Sequence, residues 1–140
     1  EFNSHKTGVL ICFEILFPSI ASEFVKNGAD ILTTITNDAW FGYTSAAQQH
    51  FSIAVFRAVE NRRTVVRSAN TGISGFIDPK GEILETSNLF KDHTATREVP
   101  ALKQISFYTK HGDVFAISTI VAIFITFMLK GARRKFRKDL

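Results

Sequence analysis

Three short runs of aliphatic and β-branched residues, separated by helix-like segments, constrain the fold of this chain more than any other feature. The runs cover residues 8–12, 31–36 and 64–68. Pro18 and the pair Asn27-Gly28 suit the start and the end of a helix after the first run. An apolar stripe at helical spacing follows the second run, over 45–63. This order of strand, helix, strand, helix and strand predicts an α/β sheet layered with helices.

A hairpin extends this pattern toward the C-terminus. Residues 73–77 and 82–85 flank Asp78-Pro79-Lys80-Gly81, a sequence typical of a tight turn between two strands. Residues 92–109 show little periodicity, and we expect them to lead into the apolar segment that follows.

The positive charge of the chain is concentrated at its C-terminus. The formal net charge is +4, with 17 basic and 13 acidic residues. Six of the basic residues fall within 130–138, and residues 1–129 hold 11 basic against 12 acidic residues. A basic tail rather than a basic domain face argues against nucleic acid as a partner.

Residues 114–129 form the most apolar stretch, with sixteen residues and no charge. As a helix they would span about 24 Å, short of the roughly 30 Å of hydrocarbon in a bilayer. Tyr108, Lys110 and Lys130 can anchor the ends at the interfaces. A buried core helix is the alternative, but the block of cations after it favours a transmembrane helix. The positive-inside rule then places residues 1–106 outside the cytoplasm and residues 132–140 inside it.

Polar and aromatic residues follow the ends of all three predicted strands. Cys12 ends the first strand, Asn37 with Trp40 and Phe41 follows the second, and Asn70 follows the third. Because ligands bind beyond the carboxyl ends of strands in open α/β sheets, we expect these residues to share one edge.

Cys12, the one cysteine, has two interpretations. A lone Cys is most often a buried core residue, whereas a nucleophilic thiol needs an activating neighbour. Glu14 is either that neighbour or a carboxylate at a helix start. The Trp40-Phe41 pair is either an apolar contact for a lipid-like substrate or a loop that packs onto the core.

The remaining charged residues do not indicate a metal or a cofactor. The four histidines lack the spacing of metal ligands, and no phosphate-binding glycine loop is present. Arg57, Glu60, Arg63 and Arg67 could bind an acidic group, but ion pairing along the helix is the simpler interpretation.

Six segments in order resemble one family. They are 8–18 (GVLICFEILFP), 27–30 (NGAD), 37–42 (NDAWFG), 57–61 (RAVEN), 70–73 (NTGI) and 78–81 (DPKG). Over residues 1–131 the chain resembles the apolipoprotein N-acyltransferases, a membrane-embedded branch of the nitrilase (carbon–nitrogen hydrolase) superfamily. We therefore expect the C-terminal part of an αββα sandwich in residues 1–106. The juxtamembrane segment and final transmembrane helix would be 107–131, followed by the basic tail over 132–140.

The resemblance also implies roles for individual residues. Cys12 would be the nucleophile of a Glu-Lys-Cys triad, the backbone N–H of Phe13 an oxyanion donor, and Glu14 a supporting acid. The loop with Asn37, Trp40 and Phe41 would contact the substrate near its acyl chains. The family commonly has Tyr where Phe13 stands, so no hydroxyl is available there. The triad's Glu and Lys do not align with any residue here, so we expect a C-terminal piece that is inactive alone.

The implied activity joins two membrane lipids. A phospholipid would donate a fatty acyl group through a Cys12 thioester to the α-amine of a diacylated apolipoprotein, at the bacterial inner membrane and on its periplasmic side. Two alternatives remain: a membrane-tethered amidase or nitrilase that uses water as acceptor, and a non-catalytic membrane-anchored remnant.

Overall fold

A five-stranded mixed sheet organises the first of the two units into which the chain divides, residues 1–110. The computed structural model describes residues 5–136, with side chains as far as residue 130. The strands are β1 Thr7–Ile11, β2 Ile31–Asn37, β3 Thr64–Asn70, β4 Gly75–Ile77 and β5 Ile83–Thr86. They lie in sequence order, with β1, β2 and β3 parallel and β4 and β5 antiparallel to their neighbours. The predicted α/β pattern is confirmed.

Four helices accompany the strands in the described part of the chain. They are α1 Pro18–Lys26, α2 Ala46–Asn61, α3 Phe107–His111 and α4 Val114–Phe136. Pro18 begins α1, where its fixed φ suits the first turn, and Gly28 (φ +94°) follows the helix end. The chain leaves α2 through Arg62 in the left-handed region (φ +52°), which turns it directly into β3.

One face of the sheet carries the core. Aliphatic side chains of the strands pack there with apolar side chains of α1 and α2. The fully buried members include Leu10, Leu32, Ala54, Val65 and Ile77. Each large aliphatic side chain removed from water in this way contributes about 1.5–3 kcal/mol, so this layer holds the strands in register.

The other face of the sheet is uncovered in the described residues. Val9, Ile11 and Ile35 are 40%, 63% and 53% exposed, although the apolar runs 8–12 and 31–36 suggest strands that are fully buried. Burial instead alternates along β1 and β2, because the helices of this chain cover only one side.

The second unit, residues 111–140, consists of α4 as far as the chain is described. The predicted segment 107–131 is divided, because α3 ends at His111 and Gly112 takes a left-handed φ of +64° before α4 begins. Among the described residues, no helix is both long enough and apolar enough to cross a membrane. The predicted transmembrane helix is therefore not confirmed. Of the predicted basic tail, 137–140 lie outside the described residues, and only the backbone of 132–136 is described.

Candidate active site

The three predicted strand ends meet at one edge of the sheet. Cys12 follows β1, while Asn37 and Asn70 end β2 and β3 as register partners. Asn70 Nδ2 donates a hydrogen bond to Asn37 Oδ1 at 3.4 Å. The parallel arrangement of β1, β2 and β3 produces this convergence, and the predicted grouping is confirmed.

Cys12 occupies a turn rather than the end of the strand. β1 ends at Ile11, and a 3₁₀ turn over Cys12–Leu16 begins with Cys12 in the left-handed region (φ +51°). A non-glycine residue held there costs about 1–3 kcal/mol and persists only where its surroundings fix it. The Glu14 carboxylate accepts the Ile11 N–H at 2.7 Å, and Ile15 is fully buried. This hydrogen bond and the burial of the Ile15 side chain hold the turn in place.

The turn leaves Cys12 partly exposed. Cys12 is half-buried, unlike a core cysteine. Phe13 is in the first turn of the 3₁₀ segment, where backbone N–H groups have no partner within the helix. A substrate carbonyl at Cys12 Sγ would therefore have an N–H donor available beside it. Glu14 closes the turn here, and its predicted role as a supporting acid stays a prediction.

The aromatic loop after β2 is fixed by its own polar residues. Asn37 Oδ1 accepts the Ala39 N–H at 3.1 Å, and the Asp38 carbonyl accepts the Phe41 N–H at 3.0 Å. Trp40 is 87% exposed, whereas the Phe41 ring meets the His50 ring edge-on at 5.8 Å. The two aromatics thus face different surroundings, and their roles in substrate binding stay predictions.

Beneath the turn and the loop lies a buried polar cluster of Asp38, His50 and Arg67, which we call the Asp38 cluster. All three side chains are at most 3% exposed. Arg67 Nη2 donates to Asp38 Oδ2 at 2.7 Å, and His50 Nδ1 lies 3.0 Å from Asp38 Oδ1. A carboxylate oxygen only accepts, so His50 donates from Nδ1.

Electrostatics tie this cluster to Cys12. Burial lowers the pKa of Arg67, while the charges of Asp38 and Cys12 and the hydrogen bond to Asp38 act to raise it. Arg67 and Cys12 are therefore within electrostatic range of each other.

Gly72 explains the turn that follows β3. A Cβ at this position would meet Asp38 Cβ and Cγ at 2.7 Å, closer than non-bonded carbons approach. Thr71 beside it takes a left-handed φ of +61°. The turn thus approaches Asp38 of the aromatic loop so closely that only glycine fits.

The Asp38 cluster resembles two members of a Cys-His-Asp set, but a contact with the thiol is missing. Within residues 5–136, His50 Nε2 has no hydrogen-bond partner, whereas a general base must lie within hydrogen-bonding reach of the proton it removes. No group of three or more metal-binding side chains occurs among the described residues either.

Sequence reasoning missed the Asp38 cluster because each member was considered separately. His50 was one of four scattered histidines, and Arg67 belonged to a proposed ion-pair set. The signal was present in the helical spacing: His50 is three residues after Ala47 and four before Ala54, which places it on the buried face of α2. Within the proposed set, the ion pair of Arg57 with Glu60 is confirmed at 3.1 Å.

Residues 2–105 match the model of the carbon-nitrogen hydrolase family. The chain belongs to this family. Two relatives named apolipoprotein N-acyltransferase share this part of the sequence. The one from Geobacter metallireducens is 43% identical over 129 residues, 92% of this chain and 25% of that protein. The one from Thermotoga maritima is 41% identical over 131 residues, 91% of this chain and 26% of that protein.

This carbon-nitrogen hydrolase chain thus spans about a quarter of the length of the curated relatives it matches. Two solved structures share its fold. Saccharomyces cerevisiae Nit3, of branch 10 of the nitrilase superfamily, superposes with a TM-score of 0.52 and 23% identity over 61% of this chain and 34% of its own. A Helicobacter pylori carbon-nitrogen hydrolase gives a TM-score of 0.57 and 16% identity over 64% and 39%. The nitrilase-like α/β fold is confirmed.

Proposed function

We propose that the protein carrying this chain is an apolipoprotein N-acyltransferase with Cys12 as its nucleophile. The observation that carries the proposal is the left-handed, half-buried turn that presents the Cys12 thiol at the carboxyl edge of the sheet. The names of the relatives add the reaction class, an acyl transfer.

The proposed chemistry has two halves. In the first, the Cys12 thiolate attacks the ester carbonyl of a phospholipid, the C–S bond forms, and the C–O bond to glycerol breaks. The lysophospholipid oxygen takes up a proton as it leaves. In the second, the α-amine of a diacylated apolipoprotein attacks the thioester, an amide forms, and the thiol is released. The α-amine loses a proton as the amide forms, which balances the proton taken up by the lysophospholipid in the first half.

The oxyanion of each tetrahedral intermediate would accept the Phe13 N–H. Removal of one such donor typically costs about 3–4 kcal/mol of transition-state stabilisation. The proton transfers are assigned to the Glu and Lys of the family's triad. That Glu and Lys do not align with any residue of this chain, so we expect the 140-residue chain alone to show no turnover.

Exposed aromatic side chains around the nucleophile favour a lipid substrate. Phe13 and Phe17 are 54% and 55% exposed, and Trp40 and Tyr43 in the loop after β2 are 87% and 84% exposed. An apolar rim of this kind suits fatty acyl chains better than a small polar amide.

We also propose that α4 attaches the catalytic unit to the bacterial inner membrane. Each of its described side chains, 114–130, is exposed, and those of 114–129 carry no charge. With the basic tail in the cytoplasm, residues 1–106 would lie on the periplasmic side, where both lipid substrates are held in the same membrane. The uncovered face of the sheet with Val9 and Ile35 would pack against the second sheet of an αββα sandwich.

The test is to incubate the intact protein with a labelled phospholipid and a diacylated lipopeptide. If the protein transfers the acyl group to the lipopeptide, labelled, triacylated peptide should form. Release of labelled fatty acid without acylated peptide would instead support the amidase or nitrilase alternative, in which water is the acceptor. If neither product forms, the result would support the third alternative, a non-catalytic remnant. Vesicle flotation of the protein with and without residues 112–140 tests the membrane attachment separately.

A further inference from the structure

His50 lies where the supports of the nucleophile turn and of the aromatic loop meet. We infer that His50 is a positioning residue: its imidazole, held by Asp38, fixes Phe13 and Phe41 and thereby keeps the Cys12–Phe13 main chain in its oxyanion-binding form. This inference rests on the proposed function, in which the Phe13 N–H binds the oxyanion.

The imidazole is held firmly from below. His50 is 4% exposed, and its Nδ1 donates to Asp38 Oδ1 at 3.0 Å. The same oxygen accepts the Thr36 hydroxyl at 3.0 Å, and Arg67 Nη2 holds the other carboxylate oxygen at 2.7 Å. A carboxylate with three donors has one orientation, and the ring that depends on it has one as well.

From this position the His50 ring contacts one aromatic ring of the nucleophile turn and one of the aromatic loop. The Phe13 ring stacks on the imidazole at 5.9 Å with 27° between the planes. The Phe41 ring meets it edge-on at 5.8 Å and 85°. Aromatic pairs at these distances have preferred geometries, so one imidazole sets the relative positions of two residues from different loops.

Phe13 transmits this constraint to the reacting atoms. It is the residue directly after Cys12, and its side chain is 54% exposed. Among the described aromatic contacts of Phe13, the His50 ring is the partner. Because Cys12 has a left-handed φ of +51°, the turn needs such a support to resist relaxation toward ordinary backbone angles.

The decisive variant is His50→Asn. The Asn amide nitrogen stands where Nδ1 stands in histidine, so the hydrogen bond to Asp38 is kept while the ring is removed. We expect kcat for acylation of Cys12 by phospholipid to fall by about 10- to 100-fold, as for small misplacements of catalytic groups, with KM for phospholipid changed far less. Val25→Ala, in the core of α1, is the control for a general loss of stability and should leave kcat unchanged.

Two further measurements keep the inference open to refutation. Phe13→Leu removes the stacking partner at a half-exposed position and should lower kcat by a similar factor, even where His50→Asn folds poorly. In the double variant the effects should not add, because both changes break the same contact. Independent, additive effects would overturn the inference, as would a wild-type kcat in both single variants.

Cys12→Ser separates the two proposals. If this variant still transfers acyl groups, the proposed function fails. If it is inactive while His50→Asn and Phe13→Leu act like the wild type, the proposed function stands and the positioning role of His50 is wrong.

Discussion

Two buried arginines, one just before β3 and one at its middle, have different surroundings. Arg63, just before the strand, donates to the backbone carbonyls of Ala29 and Gln104 at 2.8 and 2.7 Å. Arg67, within it, donates to the Asp38 carboxylate at 2.7 Å and lies 3.1 Å from His50 Nδ1. Burial lowers the pKa of both guanidinium groups.

The difference indicates that Arg63 stabilises the fold, whereas Arg67 belongs to the candidate active site. Arg63 satisfies backbone carbonyls, and its position fixes the chain at 29 and at 104 to the end of α2. Arg67 donates from Nε to the Ile73 carbonyl at 3.1 Å but also meets ionisable side chains. Its Nη1 has no hydrogen-bond partner in residues 5–136. Such an atom is costly for stability, which fits the proposed role of the carboxyl edge of the sheet as the active site.

The amino edge of the sheet also has buried polar side chains with several hydrogen bonds. Asn61 Oδ1 accepts the hydroxyls of Ser22 and Thr109 at 3.1 and 2.9 Å, and its Nδ2 donates to the Arg57 carbonyl at 3.0 Å. Thr64 Oγ1 donates to the Pro100 carbonyl at 2.7 Å. These bonds tie the segment from 100 to 109 to α2 and β3, far along the strand from the strand ends near Cys12.

Arg67→Met should have the largest effect on stability. It leaves the Asp38 carboxylate buried without its cation, which costs about 3–5 kcal/mol. The double variant with Asp38→Asn removes both charges and should recover part of that loss. Chemical denaturation of the intact protein measures both. A double variant that is no more stable than Arg67→Met would contradict the pairing.

Arg63→Met should cost less and leave the chemistry alone. The carbonyls of Ala29 and Gln104 lose their donor, at about 1–3 kcal/mol for a buried group left unsatisfied. We expect an earlier denaturation midpoint but an unchanged rate of Cys12 alkylation by iodoacetamide under native conditions. Slower alkylation would show that the surroundings of Arg63 and of Cys12 are not independent.

The smallest effect is expected from Asp30, where β2 begins. Burial acts to raise the pKa of Asp30, but the Lys6 N–H and the His5 ring, each 3.2 Å from Oδ2, and the Lys103 and His5 charges lower it below its ordinary value. The ionised form therefore stabilises the fold above about pH 4, and this contribution is lost as the pH falls through the folded-state pKa.

Comparison with Asp30→Asn by denaturation at several pH values tests this sign. The stability difference between the two proteins should be constant near neutral pH and shrink below about pH 4. A difference that stays the same at pH 3 would contradict it.

The sequence predicted the strand ends but not what lies beneath them. Cys12, Asn37 and Asn70 could be grouped because parallel strands place their carboxyl ends together, a rule that needs only the element order. The members of the Asp38 cluster are far apart in the sequence, with separations of 12, 17 and 29 positions between them. Their contacts depend on how α2 lies on the sheet. The left-handed φ of Cys12 was also inaccessible, since residue type gives no signal for strain at a non-glycine position.

The central claim is that Cys12 carries the acyl group. The most direct measurement is mass spectrometry of the intact protein after incubation with phospholipid and without acceptor, compared with Cys12→Ser. We predict one fatty acyl group on the peptide that contains Cys12, removed by neutral hydroxylamine as thioesters are, and none in the variant. Acyl transfer to lipopeptide by Cys12→Ser, or an acyl group on a different residue, would contradict the claim.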